Sequence, residues 1–326
     1  MSTVLVSGAG GAAVPGLIRG LQAQGHRVVA VDANPHAAGL YLADAGRVVP
    51  FGRSDEFLPV LRRICRQDAV DVVLPLVDEE LVKTTELEGI GVTVVLPRRA
   101  FVELCLDKWR LMKALLEAGV PVPQTGLASG DRAGLAFPVV AKPRTGRGSR
   151  GVAVLQDPAA LAGHLDSVGV PAEGMLIQRY VEGPEYTVSV VAWRDGETQA
   201  VVPKRVLLKK GITQLAVTEH VPVIDEVCRT IQAQLRADGP FNVQLRIDDQ
   251  TGLPVVFEIN PRFSTTVSLT IAAGIDEPGI LVRQALGEAP LGGRQWTPGV
   301  VLVRQITDVF LDEAWFQQRA RAVAAK

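Results

Sequence analysis

The sequence predicts an α/β fold, with an α+β arrangement in the C-terminal part, and two patterns support this. In the first hundred residues, short apolar runs alternate with amphipathic stretches, the pattern of a parallel sheet with helices on its faces. Further along the chain, short apolar runs follow one another at the spacing of an antiparallel sheet. A length of 326 residues exceeds one typical hydrophobic core and predicts two or three subdomains.

The N-terminal part has the order of a doubly wound sheet. The apolar run Val4-Leu5-Val6 predicts a buried strand, and residues 28–31 predict a second strand that ends at Asp32. Further strands are predicted at residues 47–50, 70–75 and 92–96, and helices at residues 14–23, 56–66 and 78–88.

Prolines mark a boundary in the middle of the chain. A helix predicted over residues 106–120 cannot continue through Pro121 and Pro123, so a linker or subdomain boundary is expected there. Strands are then predicted at residues 137–142, 151–155, 175–180 and 185–193, a loop at 203–220, a helix at 225–237, a hairpin at 241–260, a helix at 278–286, and a strand and a helix after residue 298.

Charge and composition exclude several classes of partner. Thirty-four basic residues against 35 acidic ones give a net charge of −1, which supplies no field to gather nucleic acid. The chain has no apolar run of the roughly 18 to 20 residues that a spanning helix needs and no secretory leader pattern, so we expect no membrane partner and a cytoplasmic location. Cys65, Cys105 and Cys228 are widely spaced and are interpreted as reduced packing residues.

A glycine-rich turn follows the first predicted strand. Gly8, Gly10 and Gly11 resemble a dinucleotide-binding turn, and Asp32 lies near the distance expected of a ribose ligand. Ala13 stands where that pattern requires a further glycine. Two other interpretations are open: a turn that serves only helix-on-strand packing, and an anion site at the helix N-terminus.

A second glycine-rich segment points to phosphate binding. Lys142 ends a predicted strand, and Gly146, Gly148 and Gly151 follow it. Glycines let the backbone fold tightly, so that several amides can face one phosphate while the lysine supplies a positive charge. The competing interpretation is a solvated basic hairpin turn.

The predicted hairpin at residues 241–260 suggests a metal site. Because side chains alternate along a strand, Gln244 shares a face with its neighbours at 242 and 246, and Glu258 shares one with Asn260. A carboxylate and carboxamides on one face suit a hard cation such as Mg²⁺, with an anionic ligand supplying further charge. The alternative is an amphipathic hairpin whose polar face meets water.

The segment from Gln178 to Glu185 is a weaker signal. A strand ends there in a turn, whose backbone groups can pair with an adenine edge, and Glu185 can accept hydrogen bonds from ribose hydroxyls. A plain surface turn is the competing interpretation.

Taken in order, Lys108, Lys142 with its glycine loop, residues 178–185, Gln244 and the motif Glu-Ile-Asn-Pro-Arg at 258–262 resemble the ATP-grasp superfamily. The resemblance covers about the whole chain and is closest to the carbamoyl-phosphate-synthase-like branch. It implies a Rossmann-like N-terminal domain at residues 1–105, followed by a two-subdomain ATP-grasp fold. The linker helix and lid would span 106–182, and the subdomain with the metal hairpin 183–326.

The resemblance also implies roles for individual residues. Arg262 and Lys142 would be catalytic, with Arg262 stabilising the transferred phosphoryl group. Many members carry a carboxylate where Gln178 stands, which puts nucleotide selectivity in question more than nucleotide binding. The implied nucleotide-binding residues are Lys108, Lys142, Gly146, Gly148, Ser149, Gln178, Arg179, Tyr180, Val181 and Glu185, and the implied metal ligands are Gln244, Glu258 and Asn260.

The function implied is an ATP-dependent carboxylate–amine ligase that forms an acyl phosphate and releases ADP and phosphate. Its partners would be ATP, Mg²⁺ with Mn²⁺ as a substitute, a small-molecule carboxylate and an amine, and a homodimer is expected. The basic loop at 203–220, with Lys204, Arg205, Lys209 and Lys210, is predicted to lie over the site, whereas His26 and His220 are interpreted as structural or surface residues.

Three alternatives stay open at this point. A carbamoyl-phosphate-forming kinase is disfavoured because the sequence carries one nucleotide module and no glutaminase region. A noncatalytic ATP-binding sensor is disfavoured because Lys142, Glu258, Asn260 and Arg262 are all present. A dinucleotide-dependent oxidoreductase rests on the glycine turn at residues 8–11 alone.

Overall fold

The structure is a computed structural model that describes residues 1–130, 135–290 and 295–324, and these residues form three sheets. The N-terminal sheet is parallel, with strand order β3-β2-β1-β4-β5. Its elements are β1 (Thr3–Ser7), α1 (Val14–Ala23), β2 (Arg27–Asp32), α2 (Gly39–Leu42), β3 (Ala45–Val48), α3 (Phe57–Gln67), β4 (Val72–Leu74), α4 (Leu81–Thr84), a 3₁₀ helix (Thr85–Ile90) and β5 (Thr93–Val94).

Two helices then lead into a small sheet with strand order β6-β9-β7-β8. The carboxylate of Asp107 caps the second helix by accepting hydrogen bonds from the amides of Trp109 and Arg110, which separates it from the first helix. The elements are α5 (Arg99–Leu106), α6 (Lys108–Glu117), β6 (Thr125–Leu127), β7 (Val139–Pro143), β8 (Ala153–Leu155), α7 (Pro158–Val168), a 3₁₀ helix (Ala172–Gly174) and β9 (Met175–Arg179).

The large sheet is antiparallel, with strand order β14-β13-β10-β11-β12-β15. Helices α5, α6 and α8 cover one of its faces through a cluster of buried apolar side chains. The elements are β10 (Glu185–Ala192), β11 (Thr198–Lys210), β12 (Ile212–Thr218), α8 (Pro222–Leu235), β13 (Phe241–Ile247), β14 (Pro254–Asn260), α9 (Val267–Ala272), α10 (Glu277–Ala285), β15 (Val301–Val303) and α11 (Glu313–Ala324).

The N-terminal sheet and the large sheet share one apolar core, whereas the small sheet has its own. At the seam between the first two, the amide of Arg98 donates to the carbonyl of Ala237 at 2.8 Å. A Cβ on Gly239 would lie only 2.4 Å from the carbonyl oxygen of Leu96, so the two backbones are in direct contact.

The predicted α/β class, with a parallel N-terminal sheet and antiparallel sheets after it, is confirmed. The predicted loop at 203–220 is wrong, because most of it forms the hairpin of β11 and β12. The helix predicted at 78–88 starts later and continues as a 3₁₀ helix, and the helix predicted at 106–120 begins at Lys108. Neither β6 nor α7 was predicted. The domain boundaries at 105 and 182 stay a prediction.

Candidate active site

One cleft between the small sheet and the large sheet is lined by every nucleotide, metal and catalytic residue that the sequence predicts. Its volume is about 300 Å³, within the range of small-molecule sites. The predicted residues in its wall are Lys108, Lys142, Gly146, Gly148, Ser149, Gln178, Arg179, Tyr180, Val181, Glu185, Gln244, Glu258, Asn260 and Arg262. The fold therefore brings together the residues that the sequence predicts for one site.

Strands β13 and β14 place the predicted metal ligands side by side. Gln244 lies opposite Glu258, and Asn242 lies opposite Asn260. The described residues contain no group of three or more His, Cys, Asp or Glu side chains that could hold a metal ion. The donor set is thus one carboxylate with carboxamide oxygens, which fits Mg²⁺ when an anionic ligand completes the site.

Lys142 projects from β7 of the small sheet to β14 of the large sheet. Its ammonium group donates to the carbonyl oxygen of Phe257 at 2.8 Å and lies 5.7 Å from the centre of that ring. Burial lowers the pKa of Lys142 to about 8, with nearby Glu258 opposing the shift and Lys108 adding to it. The lysine is therefore charged near neutrality and poorly hydrated, a state that favours contact with a phosphate.

The glycine loop between β7 and β8 has the conformation that its composition predicts. Gly146, Gly148, Ser149 and Gly151 all have positive φ. A Cβ on Gly146 or Gly148 would meet no atom within 4 Å, so these glycines are needed for the backbone conformation and not for space. The Lys108 ammonium donates to the carbonyl of Gly146 at 2.7 Å, which ties the start of α6 to this loop.

The same cleft contains the predicted adenine and ribose contacts. The side-chain amide of Gln178, which is buried, donates to the hydroxyl of Thr125 at 2.8 Å, so its carbonyl oxygen is the group that can accept from an adenine amino group. The Glu185 carboxylate accepts from Lys209 at 2.7 Å and from Arg246 at 3.0 Å. Arg246 in turn lies over the ring of Tyr180.

Arg262 follows β14 and contacts a residue that the sequence analysis missed. Its Nε donates to Asp78 of the N-terminal sheet region at 2.6 Å, and a second nitrogen donates to the Asn260 side chain at 3.3 Å. Glu79, also missed, accepts from Arg147 of the glycine loop at 2.6 Å. The only available signal was the acidic run Asp78–Glu80, which begins four residues after the end of β4, near the edge where ligands bind in parallel sheets.

The cleft is strongly basic. Among the described residues that line it, the only carboxylates are Glu185 and Glu258. The basic side chains are Lys108, Lys142, Arg147, Arg150, Arg179, Lys209, Arg246 and Arg262. Arg147, Arg179 and Arg262 pair with carboxylates outside the lining, but positive charge still exceeds negative charge, which suits a polyanionic ligand such as a nucleoside triphosphate.

Other residues singled out in the sequence lie elsewhere. Asp32 and the glycine turn lie outside the cleft, and both carboxylate oxygens of Asp32 accept from backbone amides, of Gly10 and of Asn34, at 2.8 Å each. Lys204 is buried outside the cleft, and Arg205 pairs with Glu219. Of the basic residues predicted to cover the site, only Lys209 lines the cleft in the described part of the chain.

The two remaining histidine predictions are consistent with packing positions. His220 lies against the ring of Trp296, with ring centres 4.0 Å apart, and His26 hydrogen-bonds Ser2 at 2.7 Å.

Two family models match the chain. Residues 172–309 match the family described as ATP-grasp in the biosynthetic pathway with Ter operon, and residues 8–95 match the PylC-like N-terminal domain. The chain belongs to the ATP-grasp superfamily. The resemblance inferred from the sequence is therefore confirmed.

Individual relatives of this ATP-grasp chain are distant. The carbamoyl phosphate synthase large chain of Gemmatimonas aurantiaca is 23% identical over 299 residues, which are 82% of this chain and 26% of that protein. The chain spans less than half the length of the first curated relatives it matches, between 26% and 43%.

Solved structures share the fold at low sequence identity. The biotin carboxylase domain dimer of a 2-oxoglutarate carboxylase from Hydrogenobacter thermophilus, in complex with MgADP, ADP and bicarbonate, has a TM-score of 0.74 at 19% identity, covering 92% of this chain and 73% of that chain. An L-amino acid ligase from Bacillus licheniformis has a TM-score of 0.71 at 20% identity, covering 90% of this chain and 75% of that chain.

No helix among the described residues is long and apolar enough to cross a lipid bilayer.

Proposed function

We propose that this ATP-grasp protein is an ATP-dependent ligase that joins a small-molecule carboxylate to an amine and releases ADP and phosphate. The observation that carries the proposal is the single basic cleft, in which the predicted phosphate, adenine and metal contacts face one another. The fold shared with an L-amino acid ligase supports amino acids or a short peptide as substrates.

The chemistry follows from the low reactivity of a carboxylate. Its negative charge repels an attacking amine, and its oxygen is a poor leaving group. Transfer of the terminal phosphoryl group of ATP to the carboxylate gives an acyl phosphate, and the amine then displaces phosphate. The protein has to position the groups and neutralise negative charge, so no covalent nucleophile is required.

Basic residues of the cleft would neutralise the negative charge of the phosphates and of the phosphoryl group in transfer. Lys108 and Lys142 would contact the α and β phosphates, beneath the backbone of Gly146, Gly148 and Ser149. Arg262 would stabilise the charge on the phosphoryl group in transfer. Lys142 can act here because its hydrogen bond to Phe257 and its burial already hold it inside the cleft.

The base and the sugar would be held at the other end. Gln178 would accept from the adenine amino group, and the backbone from Arg179 to Val181 would pair with the adenine edge. Glu185, oriented by Lys209 and Arg246, would accept from ribose hydroxyls. Arg179 is itself fixed by its ion pair with Asp248 at 2.7 Å.

Gln244, Glu258 and Asn260 would hold Mg²⁺, or Mn²⁺ in its place. When bound, the metal supplies positive charge that offsets the charge of the phosphates. One protein carboxylate leaves the rest of that charge balance to the nucleotide, which agrees with a donor set of Gln244 and Asn260 beside Glu258.

The remaining parts of the proposal are organisational. We propose the division into residues 1–105, 106–182 and 183–326, with the middle part acting as a lid. A homodimer is proposed as well, supported by the dimer described for the biotin carboxylase domain. A cytoplasmic location is consistent with three buried, unpaired cysteines.

The test is a phosphate-release screen with ATP, Mg²⁺ and pooled amino acids, followed by mass spectrometry for a condensed product. We expect amino-acid-dependent phosphate release and a product heavier than either substrate. ATP consumption without a condensed product would refute the ligase, and a carbamoyl phosphate product would favour the alternative kinase. Nucleotide binding with no turnover would favour an ATP sensor.

The site assignment is tested by Glu258→Ala, with Glu226→Ala on the exposed surface of α8 as the matched control. Removing the one carboxylate among the proposed metal ligands should abolish phosphate release, whereas the control should keep it. Unchanged turnover in Glu258→Ala would contradict the assignment.

A further inference from the structure

An acidic turn that follows β4 of the N-terminal sheet contacts two arginines that line the nucleotide cleft. Residues Asp78–Glu80 follow β4, and Glu80 is only 4% exposed. The Glu80 carboxylate accepts hydrogen bonds from the backbone amides of Leu76 and Val77, at 3.2 Å each, and from the hydroxyl of Ser7 at the end of β1. Glu80 therefore anchors this turn to the parallel sheet.

The two preceding carboxylates point to different walls of the cleft. Asp78 accepts from Arg262, the residue that follows the metal hairpin, at 2.6 Å. Glu79 accepts from Arg147 of the glycine loop, also at 2.6 Å, while Arg53 lies farther away at 3.9 Å. Two adjacent residues thus join segments of the chain that are 184 and 68 positions away.

The two contacts differ in burial: the Asp78–Arg262 pair is largely buried, whereas Arg147 of the Glu79 pair is partly exposed. The side chains of Asp78 and Arg262 are 12% and 14% exposed. Partial burial opposes ionisation of Glu79, but the hydrogen bond and charge of Arg147, with a backbone amide and Arg53, hold the pKa of this carboxyl below its usual value. Glu79 is therefore ionised near neutral pH.

We infer that Asp78 and Glu79 are positioning residues that couple the N-terminal sheet to both walls of the cleft. Asp78 sets the orientation of Arg262, and Glu79 holds the glycine loop against the N-terminal sheet through Arg147. The catalytic meaning of this coupling rests on the proposed function, whereas the coupling itself is a property of the nucleotide-free chain.

The expected effect of each substitution depends on the hydrogen bonds that remain to the arginine when its carboxylate partner is removed. Without Asp78, the guanidinium of Arg262 retains the weaker contact to Asn260 at 3.3 Å and the backbone carbonyl of Phe263 at 3.1 Å, both within its own segment. Without Glu79, the described contacts contain no other hydrogen bond from Arg147 to a side chain of the N-terminal region. Removing Asp78 should therefore increase the mobility of the segment around Arg262, and removing Glu79 should increase that of the glycine loop around Arg147.

The experiment is hydrogen exchange of the nucleotide-free protein, read out by mass spectrometry, for Asp78→Asn and Glu79→Gln. We expect Glu79→Gln to raise exchange in residues 144–152 by about two- to fivefold, as for a partly exposed ion pair, with residues 258–264 unchanged. Asp78→Asn should instead raise exchange in residues 258–264 by about tenfold and leave residues 144–152 unchanged, because that charged hydrogen bond is more buried. Glu86→Gln, which removes an exposed pair with Arg62, is the control and should change neither segment.

A double-mutant cycle separates the pair from general loosening. The double variant, Arg147→Gln with Glu79→Gln, should exchange no faster in residues 144–152 than either single variant, because all three lack the same contact. In the active protein, Glu79→Gln should raise the KM for ATP with kcat little changed, whereas Asp78→Asn should lower kcat.

The results that overturn the inference are distinct from those that overturn the ligase. Unchanged exchange in both segments, additive effects in the cycle, or equal loosening by Glu86→Gln would each refute the coupling. Failure of the proposed function would show instead as a wild-type protein that neither binds Mg-ADP nor turns over ATP, with the exchange pattern intact.

Discussion

The proposed contact between Lys142 and a phosphate of ATP can be tested by pH alone, because raising the pH removes the charge of this lysine. Burial lowers the pKa of Lys142 from 10.5 to about 8, with Glu258 acting against the shift and Lys108 with it. A base loses its charge as the pH rises through its pKa. The contact between Lys142 and a phosphate should therefore weaken above pH 8, where an exposed lysine would still be charged.

The size of the effect follows from the protonated fraction. With a pKa of about 8, Lys142 is about 90% protonated at pH 7 and about 10% protonated at pH 9. If the charged form alone supports binding of ATP, kcat/KM for ATP falls about tenfold across that range. A lysine with its ordinary pKa would lose less than about a tenth of its charge over the same range. The quantity to follow is kcat/KM, because it reports the free enzyme, whereas a bound triphosphate would raise the pKa.

The assay is phosphate release at low ATP concentration between pH 6.5 and 9.5, for the wild type and for Lys142→Arg. Arginine keeps its charge throughout, so the alkaline fall should disappear in the variant. Lys204 also has a pKa lowered to about 8 by burial, but it lies outside the cleft and should leave that comparison intact. A wild-type profile that stays flat to pH 9, or an unchanged fall in Lys142→Arg, would refute the reasoning.

Two substitutions test the framework that supports the cleft. Lys204 and the buried carboxyl of Glu277 are not in direct contact but are both hydrogen-bonded to Ser189. Lys204→Met removes the cation that offsets the charge of Glu277 and should cost about 3–5 kcal/mol of unfolding free energy in urea, whereas Lys204→Met with Glu277→Gln should recover most of it. A double variant as unstable as the single one would contradict this coupling. Gly183→Ala places a Cβ 1.9 Å from the carbonyl oxygen of Ile247 at a φ of +125°, so its melting temperature should fall well below that of Gly211→Ala. Gly211 has a φ of +68° and a Cβ there would meet no atom within 4 Å, so Gly211→Ala should lower the unfolding free energy by only about 1–2 kcal/mol. Equal losses of stability in the two variants would show that the backbone conformation, and not the close contact at Gly183, determines the effect.

The placement of the proposed metal ligands on one hairpin could be predicted from the sequence because local geometry determines it. Alternation along one strand placed Asn242 and Gln244 on one face, and alternation along the next did the same for Glu258 and Asn260. The observed register sets Gln244 opposite Glu258, so one local rule and one turn sufficed to assemble the site. The phosphate loop was predictable for a similar reason, since positive φ and glycine content are linked.

The β11–β12 hairpin could not be predicted in this way because its pattern is interrupted. The pairing register shifts between Val206 and Leu208 and again between Leu208 and Lys209. Each bulge moves the side chains that follow to the other face of the sheet. Leu208 lies between the two shifts and is exposed, whereas Lys204, which precedes them, is buried; both are the reverse of what their hydropathy suggests.

The acidic turn illustrates a second limit, which concerns distance along the chain. Asp78 and Glu79 have partners that lie in other parts of the fold, and no local periodicity connects them. Only the packing of the N-terminal sheet against the cleft brings them there. Long-range ion pairs of this kind depend on the tertiary arrangement, which local sequence patterns do not determine.

The seam at Arg98 and Gly239 determines which part of the molecule is free to move. Backbone-to-backbone contact there, together with a shared apolar core, joins the N-terminal sheet and the large sheet into one rigid platform. The small sheet has a separate core and meets the platform through polar contacts such as Lys142 with Phe257. We therefore expect the small sheet to move against this platform when nucleotide binds: a pair of distance labels that joins the small sheet to the platform should respond to nucleotide, whereas a pair within the platform should not.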